Sequence, residues 1–133
     1  MGEQILAGRS IVITRPAGQA ESLCTALAAL GAEPLRSPLL TIVPVHDTAT
    51  LAALARRLGE FSLAFFVSPN AVNHGLDALL RGGPWPAGLA VATVGKGSEA
   101  ALAARGFSRV IAPDSGFDSE SVLALPAFQA PEV

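Results

Sequence analysis

The chain has 133 residues, of which 50% are hydrophobic and 15% are charged. This composition excludes a disordered chain, because enough apolar surface can be buried to offset the entropy lost on folding, and the length suits one domain with a real core. The formal net charge of -2 gives no global basic field for nucleic acid, and a single cysteine, Cys24, leaves no disulfide within the chain.

Targeting and membrane signals are missing from the sequence pattern. Arg, Asp, Gly and Pro interrupt every apolar stretch before it reaches the roughly 20 residues that a membrane crossing needs. The N-terminal run MGEQIL has no basic region and too short an apolar stretch for a signal peptide. We therefore expect a cytoplasmic protein that binds neither membrane nor nucleic acid, in a reducing compartment.

The first elements in chain order are a strand and a helix. Residues 10–14 form a β-branched run that predicts a buried strand, and residues 19–30 carry leucines at helical spacing. Gly31 follows at the position where a helix end favours a left-handed backbone. Pro34 and Pro38 then punctuate a short stretch, which indicates a crossing segment with a kink and argues against a central strand.

The remainder of the chain alternates extended and helical patterns. Extended segments are predicted over residues 39–45, 63–67, 89–94 and 109–112. Helices are predicted over residues 47–58, 69–82 and 98–105, and over a short stretch capped by Asp118 or Ser119. This alternation indicates an α/β fold, with a mostly parallel sheet and helices on both faces. The tail has two prolines and no periodicity, which predicts a linker.

Three predicted strand-to-helix turns are small and polar. They are Thr14-Arg15-Pro16-Ala17-Gly18, Ser68-Pro69-Asn70 and Gly95-Lys96-Gly97-Ser98. Ligands of parallel sheets bind beyond the carboxyl ends of the strands, where helix N-termini offer unpaired N–H groups and a positive dipole end. Such turns suit a carboxylate or phosphate, and Arg15 and Lys96 would add positive charge.

Simpler interpretations stay open for each of these residues. Ser68 can be a helix cap alone, Arg15 can be a solvated residue at a strand end, and Gly95 can merely permit a tight turn. His46 and His74 are far apart in sequence and have no neighbouring cysteine, so no metal site is predicted.

A dinucleotide-binding domain is an alternative function. Residues 95–100, GKGSEA, match G-x-G-x-x-G/A after a predicted strand, and Asp114 lies near the distance expected of a ribose-binding acid. A P-loop is excluded, because Val91 stands where its first glycine belongs and Gly97 follows Lys96 in place of Ser or Thr.

Five short motifs follow one another in an order typical of one enzyme family. They are ITRP at residues 13–16, FVSPNAV at 66–72, VGKGS at 94–98, ALAARGF at 101–107 and PDSGFDSESVL at 113–123. Each is weak alone, because turns of small residues are common. Jointly they resemble the first half of uroporphyrinogen-III synthases, and the resemblance extends from about residue 10 to residue 129.

The resemblance implies two α/β lobes joined by two extended crossings. Residues 1–33 would be an orphan βα unit of a first lobe, without sheet partners, and residues 34–38 the first crossing. Residues 39–125 would form a flavodoxin-like lobe with a parallel sheet, and residues 126–133 would begin the return linker. We expect the apolar surface of the orphan unit to promote self-association, or pairing with a chain that supplies the missing lobe.

The resemblance also implies a function. Uroporphyrinogen-III synthases are lyases of tetrapyrrole and heme biosynthesis that cyclise the linear hydroxymethylbilane, with loss of hydroxide and inversion of the last pyrrole ring. No metal or organic cofactor is implied. The positions that match substrate-binding residues of the cleft are Arg15, Ser68, Asn70, Gly95, Lys96 and Ser98.

No catalytic acid can be assigned by the resemblance, because the family's tyrosine has no counterpart in a chain without tyrosine. We therefore expect the isolated chain to be inactive, as about half of the enzyme. A non-catalytic tetrapyrrole-binding module, or a half-protein that depends on a partner, is a further alternative.

Overall fold

A computed structural model describes residues 4–129 of the protein. The chain divides into two compact units, the first ending at Pro44 and the second beginning at Val45. Each unit contains a small sheet of parallel strands with helices, so the predicted α/β class is confirmed. Across residues 4–129, no helix is both long and apolar enough to span a bilayer.

The first unit consists of two strands and the helix between them. These elements are β1 (Ser10–Ile13), α1 (Glu21–Ala29) and β2 (Glu33–Arg36). Cys24 of α1 packs with Ile13 of β1 and with Ala20 in a buried apolar cluster. Gly31 ends the helical segment with a φ of 90°, as predicted, because a left-handed backbone is least costly at glycine.

The pairing of β1 with β2 corrects the prediction that the first strand lacks a sheet partner. The Glu33 N–H donates to the Arg9 carbonyl at 2.8 Å, and the Ser37 N–H donates to the Ile13 carbonyl at 2.8 Å. In a parallel strand, the N–H groups of alternate residues point to the same neighbouring strand. The nitrogen of Pro34, which carries no hydrogen, therefore faces the open edge of the sheet. Pro34 therefore lies in an edge strand, although its sequence pattern indicates a crossing segment.

The second unit contains three parallel strands in the order β3-β4-β5. Its elements are α2 (Thr48–Arg56), β3 (Leu63–Phe66), α3 (Pro69–Leu79), β4 (Ala90–Thr93), α4 (Lys96–Ala104), β5 (Val110–Ile111), α5 (Ser119–Leu123) and α6 (Pro126–Gln129). Two 3₁₀ turns, Leu58–Glu60 and Leu80–Gly82, follow α2 and α3. The predicted strands and helices are thus confirmed here, with ends that differ by one to a few residues.

The core of the second unit lies between the sheet and the helices α3 and α4. Its buried members are Phe66, Val72, Leu76, Val91 and Leu102. Val72 and Leu76 are one helical turn apart on α3, so both side chains point to the sheet. On the other face of β3, Leu63 and Phe65 remain 36% and 43% exposed.

Two short segments differ from their sequence patterns. Residues 39–45 belong to neither described sheet, and their apolar side chains stay accessible, with Leu39 74% exposed and Val43 68% exposed. Pro126–Gln129 forms the helical turn α6, although the tail is predicted to be a linker. Proline is compatible with the first turn of a helix because no partner for its nitrogen is needed there. Residues 130–133 of the predicted linker lie outside the described residues.

The close approach of Gly82 to α2 generates a stability prediction. A Cβ atom at Gly82 would lie 2.8 Å from the Cβ atom of Ala55, whereas a Cβ atom at Gly59 would meet nothing within 4 Å. We expect Gly82→Ala to lower the free energy of unfolding by about 1–3 kcal/mol, because the turn and the helix must move apart. Urea denaturation followed by circular dichroism measures this change.

Gly59→Ala is the matched control, since Gly59 also lies in a 3₁₀ turn. Its free energy of unfolding should stay within about 0.5 kcal/mol of the wild-type value, because nothing opposes the added methyl group. Equal losses in the two variants would contradict the packing explanation.

Candidate functional site

The carboxyl ends of β3 and β4 hold two helix starts side by side. Thr93 is fully buried, and its hydroxyl donates a hydrogen bond of 2.7 Å to the carbonyl oxygen of Phe66. A Cβ atom at Gly97 would lie 3.4 Å from Pro69 Cγ, so the first turns of α4 and α3 are in close contact. Two positive helix ends therefore meet at one edge of the sheet.

Ser68 caps the start of α3. Its backbone is extended, with φ -160° and ψ 161°, and its Oγ accepts a hydrogen bond from the Ala71 N–H at 3.1 Å. Pro69 occupies the first turn, where a missing N–H costs nothing. Because the cap uses Oγ as an acceptor, the Ser68 hydroxyl proton remains able to donate to a ligand. Asn70 follows in the same turn and is half-buried.

The start of α4 has no side-chain cap. Gly95 stands at the N-cap with an extended backbone, φ -110° and ψ 151°, and offers no oxygen to the first turn. The N–H groups of that turn therefore receive no cap from Gly95, and an uncapped first turn suits an anion. Ser98 lies in this turn but is only 3% exposed, so most of its surface contacts protein.

Lys96 brings a cation to the same edge, balanced by a neighbouring carboxylate. Its Nζ lies 2.8 Å from Glu99 Oε2, and both side chains are at least one-third exposed. The hydrogen bond to Glu99 raises the pKa of Lys96, and the charges of Glu99 and Asp114 add to that rise. Lys96 is therefore fully protonated at neutral pH, while Glu99 offsets part of its attraction for anions.

An aromatic ring, which the sequence pattern does not single out, joins this group. Phe117 follows β5 in the chain, and the centroid of its ring lies 5.8 Å from Lys96 Nζ. The only local signal was an aromatic residue among Gly, Asp and Ser in a predicted loop. Its approach to Lys96 depends on the pairing of β4 with β5, which no short motif encodes.

The structure brings together five of the six predicted site residues within the second unit. Those five are Ser68, Asn70, Gly95, Lys96 and Ser98. Arg15 follows β1 in the first unit, where its side chain is exposed. Within residues 4–129, no three His, Cys, Asp or Glu side chains converge in a way that could hold a metal ion.

A family model and two curated proteins that are similar to this chain carry the same enzyme name. Residues 21–132 match a family model described as "Uroporphyrinogen-III synthase HemD". The chain is 33% identical over 121 residues to a uroporphyrinogen-III synthase of Salmonella typhimurium (strain LT2), covering 90% of this chain and 49% of that protein. It is 30% identical over 121 residues to a uroporphyrinogen-III synthase of Escherichia coli (strain K12), with the same coverage. The chain thus spans about half the length of the curated relatives it matches.

The Asp118 cap of α5, next to Phe117, generates a prediction about acid stability. Hydrogen bonds from the Ser121 hydroxyl and the Ser121 N–H hold the pKa of Asp118 below its ordinary value of 3.8. A carboxylate with a lowered pKa stabilises the fold above its ordinary pKa, and this stabilisation is lost as pH falls through the folded-state value. We expect Asp118→Asn to lower the thermal unfolding midpoint at about pH 6 and to have a shrinking effect below about pH 4.

Differential scanning fluorimetry of both proteins across this pH range measures the effect. Asp114→Asn is the control in the same loop, since it removes a carboxylate without removing the cap of α5. A loss in Asp118→Asn that stays constant down to about pH 2 would contradict the role of the charged cap.

Proposed function

Since this chain belongs to the uroporphyrinogen-III synthase family, we propose that it carries one ligand-binding part of an enzyme that cyclises hydroxymethylbilane to uroporphyrinogen III. The observation that carries this proposal is the contact between the first turns of α3 and α4, with Lys96 at the same edge. Two adjacent helix N-termini suit a substrate whose eight carboxylates must be held without many basic side chains.

The proposed roles follow from the geometry of each group. The uncapped N–H groups of α4 would receive a substrate carboxylate, with Lys96 supplying the charge. The hydroxyl of Ser68 would donate a further hydrogen bond, and Asn70 lies beside it in the first turn of α3. Ser98 is buried enough to act chiefly by supporting the turn. In the first unit, Arg15 is proposed to bind another carboxylate.

The chemistry of ring closure requires little from such a site beyond positioning. Loss of hydroxide leaves an electrophilic carbon on the substrate, and a pyrrole ring of the same molecule attacks it. Fixing the carboxylates restricts the chain to the conformations in which ring inversion and closure occur, which lowers the entropic part of the barrier. A proton donor for the departing hydroxide is not among the residues proposed here, so we propose that the isolated chain binds substrate without turnover.

Titration with uroporphyrin III, the stable oxidised form of the product, tests the binding site. We expect saturable binding to the wild-type chain, and an affinity weaker by at least about tenfold in Lys96→Met, because a charge-assisted hydrogen bond contributes about 1.5–3 kcal/mol. Porphyrin fluorescence measures the dissociation constant. Absence of binding to the wild-type chain at millimolar concentration would contradict the proposed function.

Arg81→Met is the matched control for this experiment. Arg81 is an exposed cation of the same unit, but it lies in the 3₁₀ turn after the C-terminal end of α3. Its replacement removes the same charge and should leave the affinity within twofold of the wild-type value. Salt screens the attraction between an exposed cation and an anion that is not in contact with it. Equal weakening by the two substitutions would indicate nonspecific attraction of the anionic porphyrin.

We also propose that the first unit pairs with apolar protein surface, either in a second copy or in another chain. Val12 and Leu35 stand opposite each other in the β1–β2 register and are 59% and 46% exposed. Multi-angle light scattering should detect dimers whose population falls in Val12→Lys, because the lysine must be desolvated on pairing. A monomer at all concentrations, with the amides of β1 protected from hydrogen exchange, would contradict self-association.

A further inference from the structure

Phe117 is exposed on the surface, next to Lys96 of the candidate site. The residue is 51% exposed, which is the largest value for any aromatic residue within 4–129. Its neighbours in sequence, Gly116 and Asp118, have no apolar side chain that could pack beside the ring. Exposure of a large apolar side chain leaves about half of its surface available to a ligand.

The loop that carries Phe117 is held in place from both sides. Pro113 before it and Val122 after it are buried. Asp118 Oδ1 accepts a hydrogen bond from the Ser121 N–H at 2.8 Å, and Ser121 Oγ lies 2.8 Å from the carbonyl oxygen of Gly116. Gly116 adopts a φ of 80°, which a residue with a side chain rarely does. The ring is therefore positioned before any ligand arrives, which reduces the ordering cost of binding.

The ring and the neighbouring cation form a two-part surface. Lys96 Nζ lies 5.8 Å from the centroid of the Phe117 ring. Aromatic rings pack in offset or tilted arrangements with centroids about 4.5–7 Å apart. If a ligand ring stacks on Phe117 with an offset toward Lys96, a short carboxylate arm on that ring would extend to Nζ. A carboxylate without a ring would use Lys96 alone.

We infer that Phe117 is a specificity-determining residue, which stacks against one pyrrole ring of the ligand while Lys96 pairs with a carboxylate on that same ring. This inference rests on the proposed function and specifies how the site recognises its ligand class. Helix N-termini and a lysine attract any polyanion. The aromatic surface of Phe117 makes the site prefer carboxylates that are attached to flat rings.

Two ligands and two substitutions separate the contribution of the ring from that of the charge. The ligands are uroporphyrin III, which has carboxylates on pyrrole rings, and 1,2,3,4-butanetetracarboxylate, which has carboxylates and no ring. Phe117→Leu keeps apolar volume but removes the ring, whereas Phe117→Trp keeps an aromatic surface. Binding is followed by porphyrin fluorescence for the first ligand and by amide chemical-shift changes for the second, with the full chain in each case.

We expect Phe117→Leu to weaken uroporphyrin III binding about fivefold, which corresponds to the stacking energy of an aromatic pair. Phe117→Trp should retain the wild-type affinity within twofold. Neither substitution should change the affinity for butanetetracarboxylate. Lys96→Met should weaken both ligands, because it removes the charge that they share.

The outcomes distinguish failure of this inference from failure of the proposed function. If the wild-type chain binds uroporphyrin III and Phe117→Leu binds it equally well, the stacking role is overturned and the binding function stands. If Phe117→Leu weakens both ligands to the same extent, Phe117 acts by shaping the loop and the inference is overturned. If the wild-type chain binds no uroporphyrin III, the proposed function fails, and the inference fails with it.

Discussion

The parallel pairing of β3 with β4 is the constraint on which the candidate site depends. In this register Phe66 stands opposite Thr93, and the Thr93 hydroxyl donates to the Phe66 carbonyl. A shift of one residue would turn Phe66 out of the core and move Ser68 relative to Gly95, because side chains alternate between the faces of a strand. The core packing that fixes the register therefore also fixes the distance between the two helix starts.

In the proposed site, attraction for anions would come more from backbone groups than from side-chain charge. The whole chain has a net charge of -2, and Lys96 is paired with Glu99. An exposed pair of this kind contributes little to stability, because solvent screens it, so a ligand carboxylate can compete for Lys96 at small cost. The uncapped first turn of α4 supplies fixed N–H donors that need no rearrangement. Rigid donors and one movable cation suit a ligand with several carboxylates.

Apolar surface remains exposed on both units, and it is distributed unevenly. In the first unit α1 packs on the face that includes Ile13, while Val12 and Leu35 face away from this cluster. In the second unit α3 and α4 pack on the face that includes Phe66, while Leu63 and Phe65 are partly exposed. Exposed apolar sheet faces of this kind are typical of surfaces that other protein covers. This distribution supports the proposed pairing.

The sequence by itself determined the elements whose signals are local. Ser68-Pro69 and the pair Asp118-Ser119 predict helix starts because a side-chain oxygen there can cap a backbone N–H. Ser68 and Asp118 are the caps in the structure. The apolar runs of β3 and β4 predict buried strands, and five of the six predicted site residues lie in the turns after these strands. Tertiary structure alone decided the features that depend on register. Pro34 fits β2 because its nitrogen faces the open edge of the sheet. Phe117 lies near Lys96 because β5 pairs with β4. Both arrangements depend on contacts between residues that are distant in sequence.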